Sequence, residues 1–232
     1  MLRFMRKRML IVDASLDHEF YKPVEQWMPH ICGVGADAVH LPSMAMHPQL
    51  DRYTHVLLTG SQASFEDPLP WFDLAADLVR DAMDRDVALL GSCFGHQMLV
   101  WALSGPTYVR RALRPELGWI RVDVLQEDRL LANVPNPWHS FAFHLDEVVE
   151  PPGPWRVLAK NEACAVQAIR YGEHRIWGIQ PHPETNEAEA RRLMEMALDL
   201  APDRAEEIQQ AMNQPVLDDG ATPQLVRAFL ES

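Results

Sequence analysis

The segment Gly91-Ser92-Cys93-Phe94-Gly95 constrains this chain more than any other. The apolar run Val87 to Leu90 leads into it and a helical pattern from His96 leads out. Glycine, cysteine and glycine at alternate positions form the cysteine version of a nucleophile elbow. In such a turn a strand passes sharply into a helix, and small flanking residues let the central side chain sit in a strained, exposed position. A thiol there stands at a helix N-terminus, where the dipole and unpaired N–H groups favour thiolate over thiol.

The rest of the first half reads as the setting such a turn needs. Met9 to Val12, His55 to Thr59 and Val87 to Gly91 are short, continuously apolar runs, the pattern of strands covered on both faces. Trp71 to Arg85 places Leu74, Leu78, Val79 and Ala82 at helical spacing, with Asp77, Arg80, Asp81 and Asp84 for the wet side. A second helix is expected from just after Cys93 to Ser104, stopped by Gly105 and Pro106. Strands alternating with helices make the fold class α/β, an open and mostly parallel sheet flanked by helices.

The second half changes character. Ile120, Val122 and Val124 alternate with Arg121 and Asp123, and Ala165 to Arg170 with Arg175 to Gln180 flank a turn at Tyr171 and Gly172. These predict a small antiparallel portion containing a hairpin. Asn133 to Pro137 and Pro151 to Pro154 read as surface loops. The expected organisation is one domain over residues 1–200 and a helical extension over 201–232, with helices at Asp203 to Met212 and Thr222 to Leu230.

A second segment, Gln180-Pro181-His182-Pro183-Glu184, follows the apolar run Ile176 to Ile179. Its prolines bias the preceding residues to extended backbone, so His182 and Glu184 should project on the same side. A carboxylate can then orient the imidazole, and with Cys93 the chain holds a nucleophile, a base and an orienting acid. A metal site at His182 and Glu184 is the alternative, but no spacing suggests a third ligand. No metal or other cofactor is expected.

Charge and cysteine count narrow the function further. With 21 basic and 33 acidic residues the net charge is −12, which disfavours nucleic acid and anionic membranes as partners. The basic start from Met1 to Arg8 and the apolar run after it are too short for a secretory leader and read as the approach to a first strand. Three widely spaced cysteines, Cys32, Cys93 and Cys164, fit a reduced cytoplasmic protein and offer no zinc-ligand pairs; Cys32 and Cys164 read as small buried hydrophobes.

Gly91 to Gln97 together with Gln180 to Glu184 closely resembles the two signature segments of the class I, triad-type glutamine amidotransferases, in the family's order. The resemblance extends from about Met9 to about Leu200 and implies the flavodoxin-like fold of that family. It implies amidohydrolase chemistry through a γ-glutamyl thioester, with Cys93 as nucleophile, His182 as base then acid, and Glu184 as the orienting carboxylate. By the same resemblance, backbone N–H groups of Gly60 and Phe94 form the oxyanion hole. Gln97 contacts the glutamyl group, as does a loop over Phe143, His144, Leu145 and Asp146; for Asp146 a turn-and-cap role is the alternative.

The segment Asp67-Pro68-Leu69-Pro70-Trp71 looks like that of free-standing members related to the GMP synthase glutaminase and to γ-glutamyl peptidases. The substrate implied is a small-molecule γ-glutamyl amide, either glutamine or a conjugate of another amine. No fused synthetase domain is expected in this length. Hydrolysis by the chain alone, ammonia supply to a separate synthetase, and a non-catalytic binding module all remain open. The leaving amine and the oligomeric state are not legible.

Overall fold

The computed structural model describes residues 7–149 and 151–232, so all but the end of the basic opening segment lies outside the described residues. Among the described residues, nine strands form one curled sheet: β1 Arg8–Asp13, β2 Gly35–His40, β3 His55–Leu58, β4 Ala88–Ser92, β5 Val109–Val124, β6 Trp138–Val148, β7 Trp155–Lys160, β8 Ala168–Tyr171 and β9 Ile176–Ile179. Six helices accompany them: α1 Pro23–Trp27, α2 Phe72–Asp84, α3 Phe94–Ser104, α4 Glu187–Leu200, α5 Ala205–Met212 and α6 Thr222–Leu230. None is long and apolar enough to cross a membrane.

The strand order is β2-β1-β3-β4-β9-β8-β7-β5-β6. Pairing is parallel from β2 to β9 and antiparallel from β9 to β6. The sheet is therefore mixed, which corrects the expectation of a mostly parallel sheet with a small antiparallel part. Two unexpected antiparallel strands, β6 and β7, explain the error, and a third unexpected strand, β2, is parallel. In β2 the sequence Gly-Ala-Asp-Ala-Val-His lacks an apolar run, and its residues are half-buried or exposed because it lies at a sheet edge. The strand β6 includes Phe143 to Asp146, expected as a loop; it is ordered by a long pairing with β5.

Alternation along the central strands divides the core. Leu10 and Val12 of β1 join Val56, Leu58 and Leu89 under α2 and α3, whereas Met9 and Ile11 join Leu57, Leu90 and Trp177 on the other face. That second face is covered by Leu225, Val226 and Phe229 of α6. A third cluster joins Leu117, Trp119 and Phe141 to Leu193, Met194 and Ala197 of α4 and to Ile208 and Ala211 of α5.

Candidate active site

The carboxyl ends of β3, β4 and β9, three neighbouring parallel strands, converge on one point. The chain leaves β4 at Ser92 and enters α3 at Phe94, with Cys93 between at φ 48° and ψ −104°. A side chain other than glycine rarely holds a positive φ, and where the fold imposes one it often marks a functional turn. Both flanking glycines are forced by packing. A Cβ on Gly91 would lie 2.5 Å from the Gly95 carbonyl, and one on Gly95 only 2.1 Å from the Leu58 oxygen. Cys93 is 5% exposed and borders a cavity, so it is not the openly exposed side chain the motif led one to expect.

Backbone hydrogen bonds lock this corner to its neighbours. The Cys93 N–H donates to the Ile179 carbonyl and the Gly95 N–H to the Thr59 carbonyl. Thr59 is itself tied to β1, its N–H donating to Val12 and its hydroxyl accepting from the Ala14 N–H. Gly60 is thereby held beside the site, where a Cβ would sit 2.7 Å from Cε1 of His182. No backbone acceptor takes the Gly60 N–H among the described residues. Phe94 is the first residue of α3, so its N–H precedes the helix's own ladder. Its ring packs among Phe65, Trp71 and Phe72, with centroids 5.0 to 5.1 Å away.

After β9 the chain runs through Pro181 and is caught by β6, the His182 N–H donating to the Phe141 carbonyl at 2.7 Å. Nδ1 of His182 lies 2.8 Å from Oε1 of Glu184, and both side chains are buried. Tyr21 was not legible in the sequence. Its hydroxyl donates to the same Oε1 at 2.7 Å, and its ring stands edge-on to the imidazole. Burial works against a charged imidazole, but Cys93 and Glu184, by charge and by hydrogen bonding, outweigh it and raise the His182 pKa from 6.5 to about 10. Tyr21 is pushed well above its ordinary value by burial first and by Glu184 second.

The cavity has a volume of about 400 Å³ and is bordered by Cys93, Gln97, Phe143, His144, Asp146 and His182. The Gln97 side-chain amide donates to the Asp146 carbonyl at 2.7 Å and to Oε1 of Gln180 at 3.1 Å. The Asp146 carboxylate accepts from the Ser64 hydroxyl and the Phe65 N–H, so it caps the loop after β3 from its place in β6. His144 is buried with both ring nitrogens facing oxygens, the Asp146 carbonyl and the Glu116 carboxylate. His96, beside the elbow, lies wholly inside; burial lowers its pKa to about 3, and Gly178 gives its ring space.

The other cysteines divide. Cys164 is buried, and burial pushes its thiol up to about 12. Cys32 is exposed, which corrects the expectation of a buried hydrophobe; it follows a short helical turn at the surface. Asp13, His18 and His40 converge at the ends of β1 and β2, with one nitrogen or oxygen atom of each within 4.8 Å of the others. Each already has a partner, His18 bonding Asp13, Ser15 bonding Asp13, and His40 facing the Ser15 carbonyl.

Residues 31–198 match the family model described as glutamine amidotransferase class-I. The chain belongs to the class I glutamine amidotransferase family. It is 33% identical over 156 residues to a glutamine-hydrolyzing GMP synthase subunit of Saccharolobus solfataricus, spanning 67% of this chain and 80% of that protein. The same figures hold for the corresponding subunit of Sulfolobus acidocaldarius. Among solved structures, a glutamine amidotransferase of Thermotoga maritima superposes with a TM-score of 0.75 at 20% identity, covering 97% of each chain. One from Methylobacillus flagellatus gives 0.74 at 18% identity, covering 98% of this chain and 95% of its own. As a class I glutamine amidotransferase the chain is of an amidohydrolase family, and the expected family resemblance holds.

The cavity also has borders that sequence reasoning missed. Leu193, Ala197, Leu200 and Ala201 from α4 and its end, and Ile208 from α5, form one wall. Helical periodicity at 193, 197, 200 and 201 was available as a signal, but it does not say whether a stripe faces a core or a cavity.

Proposed function

We propose that the chain hydrolyses a γ-glutamyl amide bond, of glutamine or of a γ-glutamyl conjugate, through a thioester on Cys93. The observation that carries the reading is the His182 imidazole, held by Glu184 on one side and beside Cys93 on the other, at the edge of a cavity. A raised proton affinity is what a thiolate-imidazolium pair requires of the ring. The thiolate attacks the side-chain carbonyl carbon, and the oxygen takes up negative charge facing the N–H groups of Gly60 and Phe94. His182 gives its proton to the leaving nitrogen, the C–N bond breaks, and the acyl group remains on sulfur. The neutral ring then takes a proton from water as its oxygen attacks the thioester, releasing glutamate and restoring the pair.

Glu184 and Tyr21 act on this cycle through the ring. The carboxylate fixes Nδ1 and stabilises the imidazolium, and the Tyr21 hydroxyl holds that carboxylate in place. Gln97, Phe143, His144 and Asp146 form the wall against which the glutamyl head would lie.

Release of glutamate from glutamine and from a panel of γ-glutamyl amides by the purified chain tests the reading. Cys93→Ser should lose nearly all turnover while keeping the fold; wild-type rates in that variant would remove the nucleophile assignment. The alkaline limb of kcat/KM should lie well above the 6.5 of an ordinary imidazole, because the proton His182 donates is lost only as pH rises toward about 10.

A second reading is favoured by the relatives, which are named as subunits of a glutamine-hydrolyzing GMP synthase. On it the same chemistry supplies ammonia to a separate synthetase. Stimulation of glutamine hydrolysis by a stably bound synthetase would select it.

A further inference from the structure

We propose that the cavity beyond Cys93 contains a leaving-amine subsite that selects γ-glutamyl amides of neutral, apolar primary amines over glutamine. This rests on the hydrolase reading above.

The cavity lining falls into two chemically distinct groups, one gathered by hydrogen bonds around Asp146 and one belonging to the apolar cluster on α4 and α5. The first includes Ser64, Gln97, His144 and Asp146, polar residues suited to the charged amino and carboxyl groups of a glutamyl head. The other is apolar, built from Phe20, Leu117, Leu193, Ala197 and Ile208. The scissile amide must sit at Cys93, which borders the same space. A head among the polar residues therefore leaves the apolar ones to whatever the nitrogen carries. Glutamine carries only hydrogens there and would leave water against carbon.

The volume and the charges agree with this. About 400 Å³ lies in the range that encloses ligands larger than one amino acid. The helical face of α4 sets Ala197 between Leu193 and Leu200, with Ala201 just past its end, so the alanines keep space open beside the leucines. Both arginines that border the cavity are already engaged. Arg204 donates twice to Glu207, at 3.0 and 2.8 Å, and Arg111 lies 3.5 Å from Asp146 and 3.9 Å from Glu66. Each already has a carboxylate of the chain beside it, which weakens its attraction for a second one on the amine. Asp17 borders the space from an exposed position and accepts from the Glu19 N–H. A cationic amine reaching Asp17 is the competing occupant.

The full chain is assayed for glutamate release from glutamine and from the γ-glutamyl amides of n-butylamine, of γ-aminobutyrate and of a diaminobutane. Each buried methylene contributes roughly a fourfold gain, so kcat/KM for the butylamide should exceed that for glutamine at least about tenfold, and should exceed both charged conjugates. Glutamine equal to or better than the butylamide, or a preference for either charged conjugate, overturns the subsite while leaving hydrolysis standing. No release from any of the four overturns the hydrolase reading and the subsite with it.

The variants Leu200→Glu and Ala197→Leu should each lower the ratio of butylamide to glutamine kcat/KM about tenfold. A partly unfolded sample lowers both rates together and leaves that ratio alone. Leu200 is 71% exposed, so its variant folds even if Ala197→Leu does not. An unchanged ratio in Leu200→Glu, together with an unchanged ratio in any folded Ala197→Leu, overturns the proposal.

Discussion

The two sides of the cavity are built on opposite plans. The elbow side is backbone packed on backbone: Gly91 and Gly95 have no room for a methyl group, and Cys93 is held at a positive φ by strands on both sides. The far side is a helix face, α4 and α5, that touches the sheet through side chains and leaves a gap. On the first side almost no residue can change without moving the reacting atoms. On the second, a change alters the shape of a space. On the proposed reading, chemistry is fixed where packing has no slack, and selectivity is set where it has some.

The sharpest way to break this contrast is Gly95→Ala. Its new Cβ meets backbone, not a movable side chain, so a loss of about 3 kcal/mol or more of stability, and with it nearly all activity, is expected. Denaturant unfolding measures it, and a loss under about 1 kcal/mol would mean that the elbow has slack after all.

His96 extends the contrast to pH. Burial holds its folded pKa at about 3, below the 6.5 of an unfolded imidazole. Under pH 6.5 the unfolded chain therefore binds a proton that the folded chain refuses, and stability falls as pH falls, down to the folded value. From pH 6.5 to about pH 5 this residue alone should cost about 2 kcal/mol. His96→Gln should flatten that part of the stability curve; an unchanged slope would show that His96 takes up its proton while folded.

Tyr21→Phe removes one hydrogen bond to a buried carboxylate that keeps its bond to His182. A fall in kcat of about tenfold, with little change in KM, is expected from a loss of about 1.5 kcal/mol in positioning. Steady-state kinetics decides it, and a change confined to KM would place Tyr21 against the substrate instead. Arg204→Ala gives the smallest effect. Its pair with Glu207 is partly exposed, so stability should move by no more than about 0.5 kcal/mol.

The central strands and helices could be read because each carries its own pattern. Met9 to Val12 as continuous apolar residues and Leu78, Val79 and Ala82 at helical spacing are local signals, and β1 and α2 lie within a residue or so of their expected bounds. The edge strand β2 and the strand β6 could not be read in this way, since partners distant in sequence make them strands. Phe143 to Asp146 became part of a strand because β5 pairs with it. Tyr21 entered the site because the chain before α1 folds over a residue 163 positions away.

By itself the sequence determined which side chains are proposed to carry the chemistry: a thiol between glycines at a strand-to-helix corner, and an imidazole two residues from a carboxylate. Those are short-range facts of covalent geometry and local sterics, written in neighbouring residues. Only the tertiary structure decided that His182 stands against Cys93, that Tyr21 holds Glu184, and that an apolar wall from α4 and α5 faces them. The physical reason is that apolar burial is non-directional. A stripe of leucine and alanine gains the same whether it meets a core or a cavity, and the packing of the whole chain makes that choice.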